Sequence, residues 1–291
     1  MPKSLQSLLT VVACPACHGT LSQDGSQLRC AACQAAYSFD RGVPRLLTAA
    51  RAAELDARVA GFTNPHPALR KNALARALIP PSPVYDPFEG SRHARIRDLT
   101  RDGVVLNLGS KAADWGAHVV NVDLMLPAQH SAEQPSVDIL ADIERLPFAD
   151  ATADAIICTN VLEHVGSAHD CVLEIKRVLK PGGLVYISVP FIFPTHPDPL
   201  DRRRWTREGL QAEFGGFIEI ESGAAGGPFS AYVSITPTLL GSVFSSFVLY
   251  NAVRFAFGWL LWPFKFLDVV AARSRHADRT ASNVFFLGRK P

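Results

Sequence analysis

One stretch constrains this chain more than any other, Val137 to Val165, which reads VDILADIERLPFADATADAIICTNVLEHV. A short apolar run (Val137, Ile139, Leu140) stops at Asp142, and Ile143 to Asp150 form a mixed loop around Pro147 and Phe148. A second apolar run, Ala155 to Cys158, follows, and its paired isoleucines suit a strand buried in a parallel sheet. In an open α/β sheet, ligands lie beyond the carboxyl ends of the strands. Asp142, Thr159 and Asn160 stand at those ends, just before Leu162-Glu163-His164.

The flanks extend the pattern. Val104 to Leu108 reads as a first core strand, followed by a loop from Gly109 to Gly116 and a second strand ending at Asp123. In a dinucleotide-type site, glycine lets the backbone approach the ligand, and an acid ending the second strand binds ribose hydroxyls. Asp123 fits that role. Downstream, His169 to Lys180 has helical periodicity and stops at Lys180-Pro-Gly-Gly183, where basic residues suit the negative end of the helix. Leu184 to Val189 is the next buried strand, Thr206 caps a helix through Phe214, and Phe217 to Glu221 is a sixth strand. Cys158 and Cys171 read as small core residues.

The combination D-x-x-x-L-P-F, strand, L-E-H, with E-x-x-R-V-L-K-P-G-G after it, resembles the class I S-adenosylmethionine-dependent methyltransferases from about Val104 to Phe191. The resemblance implies an α/β fold with a Rossmann-like, seven-stranded sheet, its last strand, Asn283 to Arg289, inserted antiparallel beside the fifth. It also implies S-adenosylmethionine as cofactor, contacted by Asn107, Gly109, Asp123, Asp142, Ile143 and Asn160. Asp142 would accept a hydrogen bond from the adenine amino group. The glycine loop departs from the family. Gly109 matches, Lys111 and Ala113 stand where further glycines are usual, and Asn107 replaces an acid. Thirteen residues separate Gly109 from Asp123, so the first crossover helix is very short or absent. A similar compression, L-N-L-G-S then V-N-V-D, occurs in a branch often accompanying synthesis of polysaccharides and lipid-linked sugars.

Ahead of this unit, Cys14-Pro-Ala-Cys17 and Cys30-Ala-Ala-Cys33 form two knuckles with zinc-ligand spacing. Leu21, Leu28, Tyr37 and Phe39 are too few to hold a fold alone, so a metal would supply the stability. With four thiolates no position remains for water, and the zinc would be structural. The segment resembles the small zinc-ribbon activator subunit of several methyltransferases, ending at Asp40-Arg-Gly-Val-Pro-Arg-Leu-Leu47. The expected organisation is a zinc ribbon over 1–47, a helical linker or cap over 48–103, and the methyltransferase domain over 104–291.

Within the linker, Leu55 and Val59 share a helical face, Asn64-Pro-His-Pro67 breaks it, and Ala68 to Ile79 is a second amphipathic helix. Pro80 to Pro83 is stiff, and Ser91 can cap a basic helix to about Thr100. Arg92, Arg95, Arg97 and Arg101 read as a solvated face. By the resemblance, Tyr85 and the following segment cover the cofactor.

Two regions bear on the acceptor. Phe191 to Trp205 leaves the carboxyl end of the fifth strand and offers His196, Asp201 and Arg204 as base, carboxylate and anion-binding guanidinium, with His164 nearby in sequence order after the fourth strand. These four are the candidate catalytic residues. An apolar insertion over about 229–275 then separates the sixth strand from the last. Gly223 to Val253 carries no charge, and Phe255 to Phe264 adds Trp259 and Trp262 between Arg254 and Lys265. Its Ser, Thr, Gly and Pro content argues against a membrane span. Aromatic rings with snorkelling cations suit a membrane interface. A hairpin buried against the sheet or across a homodimer seam fits the residues equally. If it serves only membrane or acceptor, its removal should leave cofactor binding intact, because the cofactor carboxylates lie on other loops.

Composition excludes little but excludes it clearly. With 48% hydrophobic and 19% charged residues the 291-residue chain can bury a core. A net charge of +2 gives no basis for general nucleic-acid binding. No secretory pattern opens the chain, and two C-x-x-C pairs fit a reducing compartment. The expected location is therefore cytoplasmic, with peripheral contact at the inner face of the membrane left open. The expected function is S-adenosylmethionine-dependent methyl transfer to a small molecule, glycan or lipid-linked sugar. Ribosomal RNA base methylation is one rival, because certain guanine methyltransferases also carry a zinc ribbon. A non-catalytic binding module is the other.

Overall fold

The computed structural model describes residues 4–61, 79–109, 115–126, 137–196 and 200–291. The Asn64–Pro67 break, all but the end of the 68–79 helix, and Lys111 and Ala113 lie outside them. A short helix α1 (Leu5–Leu9) leads into β1 (Leu21–Asp24), β2 (Gln27–Cys30) and β3 (Ala36–Tyr37), an antiparallel three-stranded sheet. The chain continues through β4 (Phe39–Asp40), β5 (Val43–Leu46), α2 (Ala49–Gly61) and α3 (Glu89–Leu99). The alternating part follows: β6 (Val105–Leu108), β7 (Val119–Asp123), β8 (Ile139–Ala141), β9 (Ala153–Thr159), α4 (Ala168–Val178) and β10 (Leu179–Pro190). After α5 (Arg207–Glu213) and β11 (Ile218–Ala224) come α6 (Pro228–Gly241), α7 (Phe247–Leu261), a 3₁₀ stretch at Trp262–Leu267, α8 (Asp268–Ala271) and β12 (Asn283–Arg289).

The main sheet has the order β11-β12-β10-β9-β6-β7-β8-β5-β4. Pairing is parallel from β10 through β5, and β12 runs antiparallel between β10 and β11. Seven of these strands are the expected set. The sheet is nine-stranded rather than seven-stranded because β5 adds to the free edge of β8, with Arg45 opposite Leu140 and Leu46 opposite Ala141. An unpaired strand edge is a template for further backbone pairing, and here the chain's own N-terminal segment fills it.

Burial alternates along the strands as a two-residue period requires. Leu106, Leu108, Ile156, Cys158 and Ile187 pack on one face with α4 and the three-stranded unit, and Val105, Ala155, Ile157 and Tyr186 pack on the other with Ile96 of α3 and Trp115. Cys158 and Cys171 are buried in the first of these clusters. Ser167 caps α4 and Thr206 caps α5 with side-chain oxygens. The expected Ser91 cap is absent. α3 starts earlier, with Phe88 at its N-cap, and the Ser91 hydroxyl donates to the Phe88 carbonyl from within the helix.

The apolar insertion is a set of helices braced at one end by buried polar groups. The Asp268 carboxylate, wholly buried, accepts from the Phe229 and Ser230 amides and the Ser230 hydroxyl, which satisfies the start of α6. Lys265 is buried as well, donating to the Ser82 carbonyl and lying over the Trp262 and Phe266 rings. It therefore does not snorkel outward as the sequence suggested. Among the described residues no helix is long and apolar enough to cross a membrane.

Candidate functional site

The site is built at the carboxyl ends of β6 to β10. Gly109 follows β6 with φ +71°, and a Cβ there would stand 2.2 Å from the Val161 side chain, so the position demands glycine. Its amide donates to the Val122 carbonyl at 2.8 Å, which ties this turn to β7. Asp123 ends β7, and its Oδ1 accepts from the amides of Leu124 and Met125. Asp123 pairs in register with Leu140 of β8, two residues before Asp142. The two acids thus stand on neighbouring strand ends beside Gly109.

Asp142 already has a partner. Arg51, carried by α2, places Nε 2.6 Å from its Oδ2 and reaches toward Glu144 at 3.7 Å. Nothing in the sequence singled out Arg51, because its only signal is its place one turn into the helix after the cysteine-rich segment. Ile143 is buried in the main core. Asn107 is buried behind the turn, donating to Asn121 Oδ1, while its own Oδ1 has no partner. Asn160 adopts φ +54° and accepts from Asn283 Nδ2 at 2.7 Å, which joins β9 to the last strand.

A cavity of about 620 Å³ opens against these ends, a volume ordinary for a small-molecule or cofactor site. Gly109, Thr159, Asn160 and Ser188 form part of its lining. Asp123, Asp142 and Asn107 are not among the described lining residues. Tyr85, Asp86, Arg92, His93 and Trp115 supply another wall. Tyr85 lines this cavity, and Arg92 is not solvated. Its side chain is buried, paired with Asp86, bonded to the Ala224 carbonyl and 4.2 Å above the Phe285 ring. The helical pattern of α3 brings every third or fourth residue inward, and the charged run concealed that. His93 packs on Trp115 with ring centroids 4.3 Å apart, and burial holds its pKa below the ordinary histidine value. The Trp115 indole N–H is buried without a partner.

One corner of the cavity gathers the other predicted residues. His164 and His196 line it, with ring centroids 5.2 Å apart. Their Nε2 atoms lie 3.6 and 3.4 Å from Oε1 of Glu163, whose side chain has no exposure. Neither Glu163 oxygen has a hydrogen-bond partner. The Glu163 carboxylate first, with Asp201 beside it, holds the His196 pKa above its ordinary value. Asp201 lies 3.2 Å from His196 Nδ1 and accepts from the His196 amide at 2.8 Å. The Arg204 guanidinium pulls the Asp201 carboxyl down to about 2. Arg204 is not presented to an anion: its donors go to Asp201 and to the carbonyls of Phe193, Pro194 and Arg203. It clamps the loop that carries His196.

At the far edge of the sheet the four knuckle cysteines converge. Cys14 and Cys33 sulfurs are 3.6 Å apart, Cys17 and Cys30 sulfurs 3.5 Å. A tetrahedron of thiolates with metal–sulfur bonds of ~2.3 Å has edges of about 3.8 Å, so the cluster is close to that geometry. The Cys33 and Ala32 amides pull the Cys30 thiol down to about 6. Against the Gly19 amide, the Cys33 and Cys30 sulfurs push Cys17 up to about 12. Four thiols this close cannot all ionise without a cation among them.

Comparison with known proteins adds the following. Residues 104–187 match a methyltransferase-domain family. A probable S-adenosylmethionine-dependent methyltransferase of Mycolicibacterium smegmatis is 35% identical over 98 residues, covering 32% of this chain and 38% of the relative. The biotin biosynthesis bifunctional protein of Cellvibrio japonicus is 34% identical over 142 residues, covering 42% of this chain and 28% of the relative. The alignments span well under half the length of these relatives. The structure of phosphoethanolamine N-methyltransferase 2 from Haemonchus contortus with S-adenosyl-L-methionine covers 70% of this chain and 53% of its own, with 17% identity and a TM-score of 0.40.

Proposed function

We propose that this chain, whose residues 104–187 match a methyltransferase-domain family, is a class I S-adenosylmethionine-dependent methyltransferase that transfers a methyl group from that cofactor to an acceptor bound in the 620 Å³ cavity. The observation that carries the reading is that Gly109, which lines that cavity, stands on a strand end adjacent to those carrying Asp123 and Asp142. The residues fit the cofactor: Trp115, in the cavity wall, brings a buried donor that has no partner among the described residues. Bound there, S-adenosylmethionine would supply a methyl group made electrophilic by its sulfonium. Asp123 would hold the ribose hydroxyls and Asp142 the adenine amino group, shared with Arg51. Gly109 would let the backbone approach, Asn160 and Ile143 would complete the cofactor side, and α3 with Tyr85 would exclude water. Holding the acceptor in line at near-attack distance supplies most of such a rate enhancement.

The corner formed by His164, His196, Asp201 and Arg204 would receive the acceptor, with Arg204 acting through Asp201 to position His196. We read the acceptor as a small molecule, glycan or lipid-linked sugar. The insertion supports an apolar portion, because it braces the cavity wall at residues 82–85 while exposing Val248 and Leu260 (73% and 64%). The same exposed face is the reason to propose contact with a membrane surface or a second copy of the chain. Net charge of +2 gives the ribosomal RNA reading no support. The four knuckle cysteines would hold a structural zinc ion.

Calorimetric titration with S-adenosylmethionine tests the reading. Binding is expected, weakened about five- to hundred-fold by Asp123→Ala or Asp142→Ala, since a hydrogen bond to a charged group contributes roughly 1–3 kcal/mol. No binding to the unaltered protein would leave the non-catalytic module as the better account.

A further inference from the structure

We propose that Glu163, His164 and His196 form a second metal site, separate from the cysteine cluster, for a zinc-class divalent ion with an open coordination position facing the cavity. The starting point is the Glu163 carboxylate. Its side chain has no solvent exposure, and among the described residues neither oxygen has a hydrogen-bond partner. A buried carboxylate in that condition is costly unless a cation sits against it. The two groups that face it are imidazoles, and they face it with the same atom. Nε2 of His164 and Nε2 of His196 stand 3.6 and 3.4 Å from Oε1. Ligands bound at ~2.1 Å around a tetrahedral ion are about 3.4 Å apart, so each imidazole stands from the carboxylate oxygen at the spacing of two ligands of one ion. The donor atoms of the trio all lie within 4.8 Å of one another.

The opposite nitrogens carry the same message. A metal-bound histidine ordinarily turns its other ring nitrogen toward a carbonyl or carboxylate, which fixes the tautomer and the ring. His164 Nδ1 lies 2.5 Å from the Leu200 carbonyl; His196 Nδ1 stands 3.2 Å from the Asp201 carboxylate as a charge contact without hydrogen-bond geometry, and Asp201 holds the residue through the His196 amide. Asp201 is in turn held by Arg204, whose other donors fasten the carbonyls of Phe193 and Pro194. This gives a purpose to a guanidinium spent entirely on its own loop: it sets the carboxylate that sets the histidine. Two imidazoles and one carboxylate suit zinc and its transition-metal neighbours rather than magnesium or calcium. Three protein ligands leave at least one coordination position, and both histidines line the cavity. The ligand taken there would be an oxygen or nitrogen donor of the molecule bound in the cavity.

The test reads metal content and needs no methyl-transfer assay. Full-length protein, stripped with chelator and dialysed against excess zinc, should retain one more ion per chain than either His196→Ala or Glu163→Gln treated alike. His196 is on a partly exposed loop, so its variant should fold even if Glu163→Gln does not. Cobalt substitution separates the two sites: the thiolate charge-transfer absorption should persist unchanged in His196→Ala and lose intensity in Cys17→Ser, which removes one of four thiolates. In Cys17→Ser the weaker ligand-field bands of a nitrogen–oxygen site should remain. Equal metal content in unaltered and His196→Ala protein, or no cobalt bands outside the thiolate site, would overturn the proposal.

Discussion

The main sheet carries two additions, and they are fastened by opposite means. The N-terminal unit joins through backbone. β5 pairs with β8, Val12 bridges to Phe148, and the Ala13 amide donates to the Pro147 carbonyl at 2.7 Å. Arg145 returns the contact, donating to the carbonyls of Pro15 and Ala16. The helical insertion shares no strand with the sheet. It is pinned by side chains, Asp268 on the start of α6, Ser230 on Tyr85 and Lys265 on Ser82, and it exposes apolar residues such as Leu239, Val243 and Val248. Backbone pairing fixes register and direction, so the first addition behaves as more sheet. Side-chain pins fix only one end, so the second behaves as a wall with a free outer face.

The two additions also brace opposite ends of the site. The N-terminal unit grips the loop after Asp142 and delivers Arg51 to Asp142 itself. The insertion grips residues 82–85, which line the cavity near α3. Removing the insertion would therefore take away the support of residues 82–85, which line the cavity.

The largest effect should come from the cysteine cluster. Structural zinc contributes apparent binding free energies of about 10–16 kcal/mol in small zinc domains, and this unit has few other apolar contacts of its own. Cys14→Ser or Cys30→Ser, each removing a buried sulfur, should abolish zinc retention there and lower the stability of the whole sheet edge by roughly 3 kcal/mol or more. Urea denaturation followed at Trp115 and by far-ultraviolet circular dichroism checks this. Loss of zinc with an unchanged midpoint would mean that backbone pairing alone holds the edge.

An intermediate effect is expected at the pin of the insertion. Asp268→Ala removes an acceptor used by two amides and a hydroxyl, all at 2.7 to 2.9 Å. Leaving buried donors unpaired costs about 1–3 kcal/mol each where no water enters, so a fall of roughly 2–4 kcal/mol in unfolding free energy is expected. The same variant should weaken ligand binding in the cavity, because Ser230 holds both Asp268 and Tyr85. Cofactor titration of the folded variant measures the second effect, and unaltered affinity would separate the insertion from the site.

What could be read before the structure follows the same division. The knuckles and the acids at strand ends depend on local pattern and chain direction, and spacing displays them; the strand order came from the family resemblance. The edge pairing of β5 was hidden because Val43-Pro-Arg-Leu46 is short and resembles the end of the metal unit. Arg92 was read as solvated and Lys265 as a snorkelling cation because a single sequence shows a charge but not the partner 6 or 183 residues away. Arg51 and Glu163 were missed as individual site residues for that reason too. Their importance lies in what faces them, Asp142 in one case and two imidazoles in the other.

The smallest effect on stability, and the sharpest on behaviour, should come from the outer face of α7. Val248 and Leu260 are 73% and 64% exposed, and surface substitutions away from caps and buried networks ordinarily change stability by within about 0.5 kcal/mol. Val248→Glu with Leu260→Glu should therefore leave the urea midpoint and cofactor titration unchanged. Contiguous exposed apolar surface beyond a few hundred Å² is uncommon on soluble monomers, so the same change should remove whatever covers this face. Flotation with anionic liposomes and sedimentation without them distinguish the occupants. Flotation lost in the double variant identifies lipid, and a dimer that dissociates identifies a second copy. A monomer that never floats, in both forms, would show that the face stays in water and that the insertion serves the cavity wall alone.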